Sequence, residues 1–347
     1  MTNLTRAGGG VSRCRRASGV AVAVIVLAVT TTACSGGSSK QDHVTASFSI
    51  AAPASAPLLL AEEMGYFSDQ GLTVELKEIA NASLQIAADN IDMGGVNTTT
   101  LIQSATENVG LQAVCIMQVD PSYVMAVSDK VWESRGLRDD MTLREKLSAL
   151  EGENITVSGS KASNPGAKML ETLLKKNGLA PDSIGVLSMT NAASSTAAFQ
   201  NGQVGVIFQP QPQPALVMSQ APGKIIYSMK DSSLFDEMQN VAYSTIATST
   251  KFANEHPDEV RKFCAAIGQA NDYLNANPVD AAEKLQDRMS VPADILKESM
   301  PMYQWAPNAT QTKAEFANGV DVLGGMGMFS TPTPEQVNAA FNPVLEP

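Results

Sequence analysis

The sequence predicts an α/β fold, with two units that are each a sheet flanked by helices. Three observations lead there. Strand-like runs such as Val44–Ile50 and Thr73–Ile79 alternate with helix-like runs such as Ala56–Met64 and Thr98–Glu107, and that rhythm builds a sheet covered by helices. The rhythm restarts after a charged, helix-rich stretch at 128–151. Beyond residue 248 the pattern is nearly all helical and has no exact repeat period, which excludes a solenoid.

The elements follow in order. Val44–Ile50 reads as a strand, and Ala56–Met64 as a helix that ends at Gly65. Thr73–Ile79 alternates apolar and polar residues, as a half-buried strand does. Ser83–Ala88 is a short helix, Ile91–Gly95 a short strand, and Asn97 opens the helix Thr98–Glu107. Leu111–Gln118 and Tyr123–Val127 are strands. In the second unit, strands at Asn154–Ser158, Ile184–Ser188, Val204–Phe208 and Lys224–Met229 enclose helices at Gly166–Asn177 and Ser195–Asn201, stopped by Gly178 and Gly202. The run Gln209-Pro210-Gln211-Pro212-Gln213-Pro214 breaks the pattern before a helix at Ala215–Gln220. Val241–Thr248 is a further strand. The helices that follow, Pro257–Asn275, Pro278–Met289, Ala293–Met300, Thr310–Gly324 and Pro334–Phe341, pack most naturally on the first unit.

Residues 1–33 hold Arg6, Arg13, Arg15 and Arg16 and no acidic residue, with an apolar run at 19–29 and small residues up to Cys34. A basic start, an apolar run of secretory length and small residues before a cut make an export signal. The run is shorter than a spanning helix requires. With a Cys at the cut, the segment resembles the lipoprotein leaders of bacteria, although the box reads Thr-Thr-Ala-Cys without the usual Leu. The resemblance implies that the Cys34 thiol is lipidated, becomes the first mature residue and inserts acyl chains in membrane lipid on the extracytoplasmic face. Residues 34–43 then read as a flexible polar tether.

Loss of the leader removes four Arg and no acid, which moves the formal net charge from −11 to −15. Such a surface repels nucleic acid, so a nucleic-acid role is excluded. Cys115 and Cys264 are the other mature cysteines. An export context permits one disulfide, and two buried thiols fit their apolar surroundings equally well. His43 and His256 are the only histidines, and neither has neighbours at metal-ligand spacing. Neither a metal nor a cofactor is expected.

Residues 57–76 read Pro-Leu-Leu-Leu-Ala-Glu-Glu-Met-Gly-Tyr-Phe-Ser-Asp-Gln-Gly-Leu-Thr-Val-Glu-Leu. The pattern Ala-x-x-x-Gly-Tyr-Phe-x-x-x-Gly-Leu-x-Val-Glu resembles the solute-binding proteins of ABC importers, in the group that includes sulfonate, nitrate and thiamine-pyrimidine binders. Asn90-Ile91-Asp92-Met93-Gly94-Gly95-Val96, Leu150 to Val157, Ala197 to Val204 and Phe208-Gln209-Pro210 agree with that family in order and spacing. The likeness covers about residues 44–275. It implies a two-lobed periplasmic-binding-protein fold of type II, with the ligand in a cleft between the lobes. Lobe one is then 44–128 plus 241–347 and lobe two 129–240, with hinges near 124–130 and 240–248. It also implies a monomer that closes on a small molecule and delivers it to an ABC permease.

In open α/β sheets ligands sit beyond the carboxyl ends of strands, where helix amino-termini expose N–H groups. The loops so placed are rich in Ser, Thr, Asn and Gln. From them the favoured ligand contacts are Ser55, Asn97, Thr98, Gln118, Ser163, Asn164, Asn191 and Gln209. The same residue types cap helices whatever the function. The five mature arginines, Arg135, Arg138, Arg144, Arg261 and Arg288, all lie outside these loops, which disfavours an amino-acid ligand. Lys161 is the one cation in the loops and Asp120 the one anion candidate. A neutral polar ligand, or a small anion held by helix N-termini and hydroxyls, fits best. Tyr123 and Phe208 are candidates for stacking on a ring, or for core.

Two rival readings keep the same fold: an exported enzyme and a ligand-sensing lipoprotein. Catalysis by a nucleophile requires a base and an orienting group. Here the tether holds His43, His256 precedes Pro257, and no nucleophile-elbow, phosphate-loop or metal-helix motif is present.

Overall fold

The computed structural model describes residues 42–49, 52–79, 81–158, 165–189, 192–230 and 233–345. The leader, Cys34 and most of the tether lie outside the described residues, as do Ser163, Asn164 and Asn191.

Eleven strands form two sheets among these residues: β1 (Asp42–Phe48), β2 (Leu72–Glu78), β3 (Met93–Asn97), β4 (Leu111–Val119), β5 (Tyr123–Ser128), β6 (Asn154–Ser158), β7 (Gly185–Met189), β8 (Val206–Pro210), β9 (Gly223–Ser228), β10 (Ala242–Ser249) and β11 (Gln304–Trp305). The first sheet has the order β11-β4-β10-β3-β1-β2 and the second β7-β6-β8-β5-β9. In each, parallel strands joined through helices carry antiparallel strands that belong to the crossovers. β4 is buried along its whole length, as a strand apolar except for Gln112 and Gln118 would be.

The chain leaves the first sheet after Val119 and is already paired in the second at Tyr123, opposite Pro210. The first crossover is therefore 120–122, earlier than the expected hinge at 124–130, and β5, which the sequence reading puts in lobe one, pairs in the second sheet. Hydrophobicity cannot separate the two cases, because β4 and β5 are equally apolar and only their partners differ. The return crossover precedes Ala242. Asp120 and Asn240, one on each crossover, both take left-handed φ, 56° and 62°, a conformation that Asp and Asn tolerate better than most residues. The Asp120 N–H donates to the Val241 carbonyl at 3.1 Å, which ties the crossovers together.

The first sheet has a core on each face. On one face the long helix Pro257–Ala276 brings Phe263, Ile267 and Leu274 against Leu58, Leu59, Leu60 and Phe67. Its approach is close: a Cβ on Gly268 would lie 2.7 Å from the Asn308 carbonyl oxygen. Asn271 is fully buried on this helix, and its amide donates to the carbonyls of Ile116, Met117 and Ala306 at 2.8–3.1 Å. These bonds satisfy backbone groups where β4 departs from regular pairing with β10. Cys115 on β4 and Cys264 on the same helix form a disulfide, which decides between the two states the sequence left open.

On the other face, Leu101, Ile102, Ile116, Phe316 and Phe341 pack together. The second sheet buries Met125, Ile155, Met169, Leu173 and Phe208. The carboxy-terminal helices do return to the first sheet, with one addition. The helix Lys313–Gly325 gives Phe316 and Val320 to the first lobe's core and Leu323 to the second lobe's.

Candidate functional site

The ends of β1, β3 and β4 meet the run after β8 across a cavity of about 390 Å³. Its walls come from both lobes. Lobe one supplies Asn97, Gln118, Tyr303 and, from β10, Tyr243; lobe two supplies Tyr123 and Gln209 to Gln213; Ser122 comes from the first crossover. A second chamber of about 330 Å³ adjoins it within lobe one and shares Ala52, Ala54 and Asn97. Hydroxyl and amide groups dominate there: Ser47, Ser49, Ser55, Asn81, Thr100 and Ser244. No described residue lining either chamber carries a charge.

Each chamber holds a buried polar atom without a hydrogen-bond partner among the described residues. In the lobe-one chamber it is the Ser47 hydroxyl, and in the interlobe chamber the side-chain carbonyl of Gln211. Such groups are uncommon in folded proteins and cost free energy unless something meets them. Gly94 makes the Ser47 position possible, because a Cβ there would stand 2.2 Å from the Ser47 oxygen.

The predicted contacts divide three ways. Ser55, Asn97, Gln118 and Gln209 come together on the two chambers. Asn97 ends β3 and begins the helix Thr98–Thr106, yet its side chain makes no capping hydrogen bond, so it caps by backbone conformation alone. Ser55 Oγ accepts the Ser49 N–H at 3.1 Å. Gln118 donates to the Asp120 carbonyl at 2.9 Å, and Gln209 to the Ser195 hydroxyl at 2.9 Å. Those bonds fix one end of each amide. Thr98 lines neither chamber: it is 1% exposed, and its hydroxyl donates to the Ala242 carbonyl at 2.6 Å to hold β10. Ser163, Asn164 and Asn191 fall outside the described residues.

Sequence reasoning missed Tyr243 and Tyr303, and it placed Gln211 in a candidate loop without choosing it as a contact. Tyr303 lies in Pro301-Met302-Tyr303-Gln304-Trp305, where only helices were expected, and the aromatic pair two residues apart is the strand signal that was overlooked. Its ring stacks on Trp305 at 5.3 Å, and its hydroxyl donates to the Gln211 carbonyl of the other lobe. Tyr123 and Tyr243 are hydrogen-bonded to each other, and Tyr123 stands 5.2 Å from Phe208. Burial pushes the hydroxyls of Tyr123, Tyr243 and Tyr303 above the usual phenol range, so they act as neutral donors. Phe208 is fully buried core. Neither His43 nor His256 lines a chamber; His256 packs on Phe252 with Nδ1 3.2 Å from Glu259.

The arrangement can enclose a small molecule between uncharged donors and acceptors, with tyrosine rings on one side. Among the described residues that line it there is no grouping of nucleophile, base and orienting residue. Among the described residues no His, Cys, Asp and Glu cluster could hold a metal, and no helix is long and apolar enough to cross a membrane.

Known proteins share this architecture. The ligand-binding component of an ABC-type import system from Staphylococcus aureus, solved with zinc bound, superposes with a TM-score of 0.68 at 14% identity over 87% of this chain and 97% of that one. The desulfurization enzyme DSZB superposes with a TM-score of 0.58 at 12% identity, over 86% and 98%. At these identities the likeness establishes the fold, the two-lobed type II periplasmic-binding-protein fold, and leaves the chemistry to the site. In sequence, a putative aliphatic sulfonates-binding protein of Bacillus subtilis (strain 168) is 24% identical over 258 residues, 71% of this chain and 72% of that protein. The family model described as NMT1/THI5 like matches residues 52–281, well over half the chain. The chain belongs to the NMT1/THI5-like family.

Proposed function

We propose that the protein is the substrate-binding lipoprotein of an ABC importer. It captures a small neutral-polar or anionic molecule by closure of its two lobes and delivers it to a membrane permease. The observation that carries this reading is the pair of adjoining chambers between and beside the lobes, lined by hydroxyls, amides and tyrosine rings and with no charged lining residue among those described. Two lobes that wrap one molecule bury most of its surface, and the permease reads the closed state by its differential affinity.

The lining narrows the ligand further. A molecule that reaches both chambers meets hydroxyls at one end and tyrosine faces with glutamine amides at the other. A flat, polar, uncharged body fits that division, and an anion finds no described side-chain cation to neutralise it. Within the ligand types the resemblance brings, a thiamine pyrimidine agrees better with this lining than a sulfonate or nitrate does; an aromatic carboxylate is intermediate. Asn97, Ser55, Gln118 and Gln209 are assigned as contacts, and the sequence reading adds Ser163, Asn164 and Asn191, which lie outside the described residues. Cys34 is assigned as the lipidated residue that holds the body at the extracytoplasmic face of the membrane.

A thermal-shift screen of small sulfonates, nitrate, thiamine pyrimidines and aromatic carboxylates tests the reading, since a ligand of the folded state raises the melting point by mass action. Pyrimidines are expected to give the largest shift. A protein that none of these classes shifts, and from which no small molecule co-purifies, defeats it. The desulfurization enzyme on the same fold motivates the alternative, an exported enzyme; turnover of the shifted compound, followed by mass spectrometry, would establish that instead.

A further inference from the structure

The two cleft chambers differ in chemistry, and one row of side chains joins them. On β10, Ser244 stands opposite Asn97 of β3 and opposite Gln118 of β4. Residues paired in this way on neighbouring strands lie about 5 Å apart. Ser244 lines the lobe-one chamber, Gln118 the interlobe chamber and Asn97 both. The row is the threshold between the chambers, and a molecule that occupies both must cross it.

On the interlobe side the lining selects a ring that carries amino donors. Gln118 gives its amide N–H to the Asp120 carbonyl, and Gln209 gives its own to the Ser195 hydroxyl. Each bond commits the amide nitrogen and leaves the side-chain carbonyl oxygen as an acceptor with no partner among the described residues. One acceptor belongs to each lobe. An aromatic primary amine has two N–H donors, and Tyr123, Tyr243 and Tyr303 offer faces to the ring that bears it.

On the lobe-one side the lining is matched to neutral hydroxyls. Ser244 is 4% exposed, and neither it nor Thr100 makes a side-chain hydrogen bond among the described residues. The Asn97 amide is likewise not used to cap its helix. Hydroxyl and amide groups both donate and accept, as a polyol requires of its partners. No charged side chain is there to favour an ionised group. The chamber, at about 330 Å³, has room for a group many times the ~30 Å³ of one water, and so for far more than a methyl or hydroxymethyl substituent.

We propose that the cleft ligand is a neutral, amino-substituted nucleoside. Its ring lies among the tyrosines with the amino group on Gln118 and Gln209, and its sugar hydroxyls lie in the lobe-one chamber on Asn97, Thr100 and Ser244. The proposal depends on the cleft being a receptor for a flat ring and narrows that reading to one class. A bare aminopyrimidine fills the interlobe chamber alone and leaves the polar groups of the other to water. A nucleoside monophosphate carries about two negative charges into a site with no lining cation among the described residues, so their desolvation is not offset.

Calorimetric titration of the full chain with cytidine, cytosine, uridine and cytidine 5′-monophosphate tests this. Cytidine should bind at least about tenfold more tightly than cytosine, as two added neutral hydrogen bonds would give. It should exceed uridine, which has a carbonyl in place of the amino group, and the monophosphate by about fivefold or more. Thr100→Val removes one hydroxyl and should lower the cytidine-to-cytosine ratio about fivefold. The comparison of ligands on the unsubstituted protein decides the matter should that variant fold poorly. Equal binding of cytidine and cytosine, or an unaltered ratio in Thr100→Val, would overturn the sugar site and leave the ring reading standing. Equal binding of cytidine and uridine would overturn the amino assignment, and tighter binding of the monophosphate would overturn the neutral class. Binding of none of the four, with a response to an alkanesulfonate or nitrate instead, would overturn the ring reading together with the proposal.

Discussion

The hydroxyl of Tyr303 donates to the backbone carbonyl of Gln211, which joins the edge of the first sheet to the loop after β8 in the second lobe. The Gln211 amide returns the contact to Met302, with Nε2 2.9 Å from the sulfur. These contacts are buried between the two lobes and depend on the lobes being close together. Tyr303→Phe removes one hydrogen bond worth about 1 kcal/mol and little packing. The expected result is a larger share of separated lobes without ligand, read as a greater radius of gyration in solution scattering, and an affinity for the cleft ligand about fivefold lower. An unchanged radius and affinity would show that the contact does not bias the lobes.

Asn97 lies on both chambers, and its side chain is not used to cap the helix it begins. Asn97→Ala together with Asn191→Ala should therefore remove the thermal response to ligand and leave the melting point without ligand within about 1–2 °C. The cost in binding is estimated at about 1–3 kcal/mol for each lost amide contact. Full affinity in the double variant would refute the site assignment. Thr98→Val is the complementary test: its hydroxyl holds the Ala242 carbonyl, so it should lower stability and leave ligand affinity unaltered.

The disulfide Cys115–Cys264 closes a chain separation of 149 residues inside the core of lobe one. Its replacement by two alanines is expected to cost about 3–5 kcal/mol of stability, largely by freeing the unfolded chain. Differential scanning calorimetry with and without reductant should show the same loss in the unsubstituted protein. Ligand binding should persist below the lowered melting point, because neither sulfur lines a chamber.

Asp120 makes stability depend on pH in an unusual direction. Its folded pKa, about 7, lies above the ordinary carboxyl value of 3.8. Between these values the folded state holds the proton and the unfolded state does not, so this group favours folding at low pH and its contribution declines as pH rises toward 7. Asp120→Asn, neutral at every pH, should melt a few degrees higher than the unsubstituted protein at pH 8, with the gap closing toward pH 4. A constant gap across that range would mean that Asp120 titrates normally.

Cys34→Ser should move the protein from the membrane fraction of its host to the soluble extracytoplasmic fraction, and should abolish incorporation of labelled palmitate. Retention at the membrane without acylation would remove the anchor from the account.

The alternation of strands and helices was legible because each element carries its own period, and the restart after 128–151 showed two units. Boundaries were less legible where the deciding interaction is remote. Tyr123 reads as a continuation of the first sheet until it is seen opposite Pro210. Thr98 reads as an exposed loop hydroxyl, and only the approach of Ala242 from 144 residues away turns it inward. Tyr243 and Tyr303 reach one cavity from separate segments, and nothing in their local sequence points to each other. That Asn97, Gln118 and Gln209 line the chambers was legible because strand ends are marked locally and their polar residues follow directly.

The helix Lys313–Gly325 places Phe316 and Val320 in one core and Leu323 in the other. Any rotation that parts the lobes must either carry the whole rod with one of them or draw Leu323 out into water. A buried leucine withdrawn in this way costs about 2 kcal/mol. The rod therefore behaves as a stay across the jaw: it leaves small swings almost unopposed and meets wide ones with a steep restoring torque, which bounds the gape through which a ligand enters.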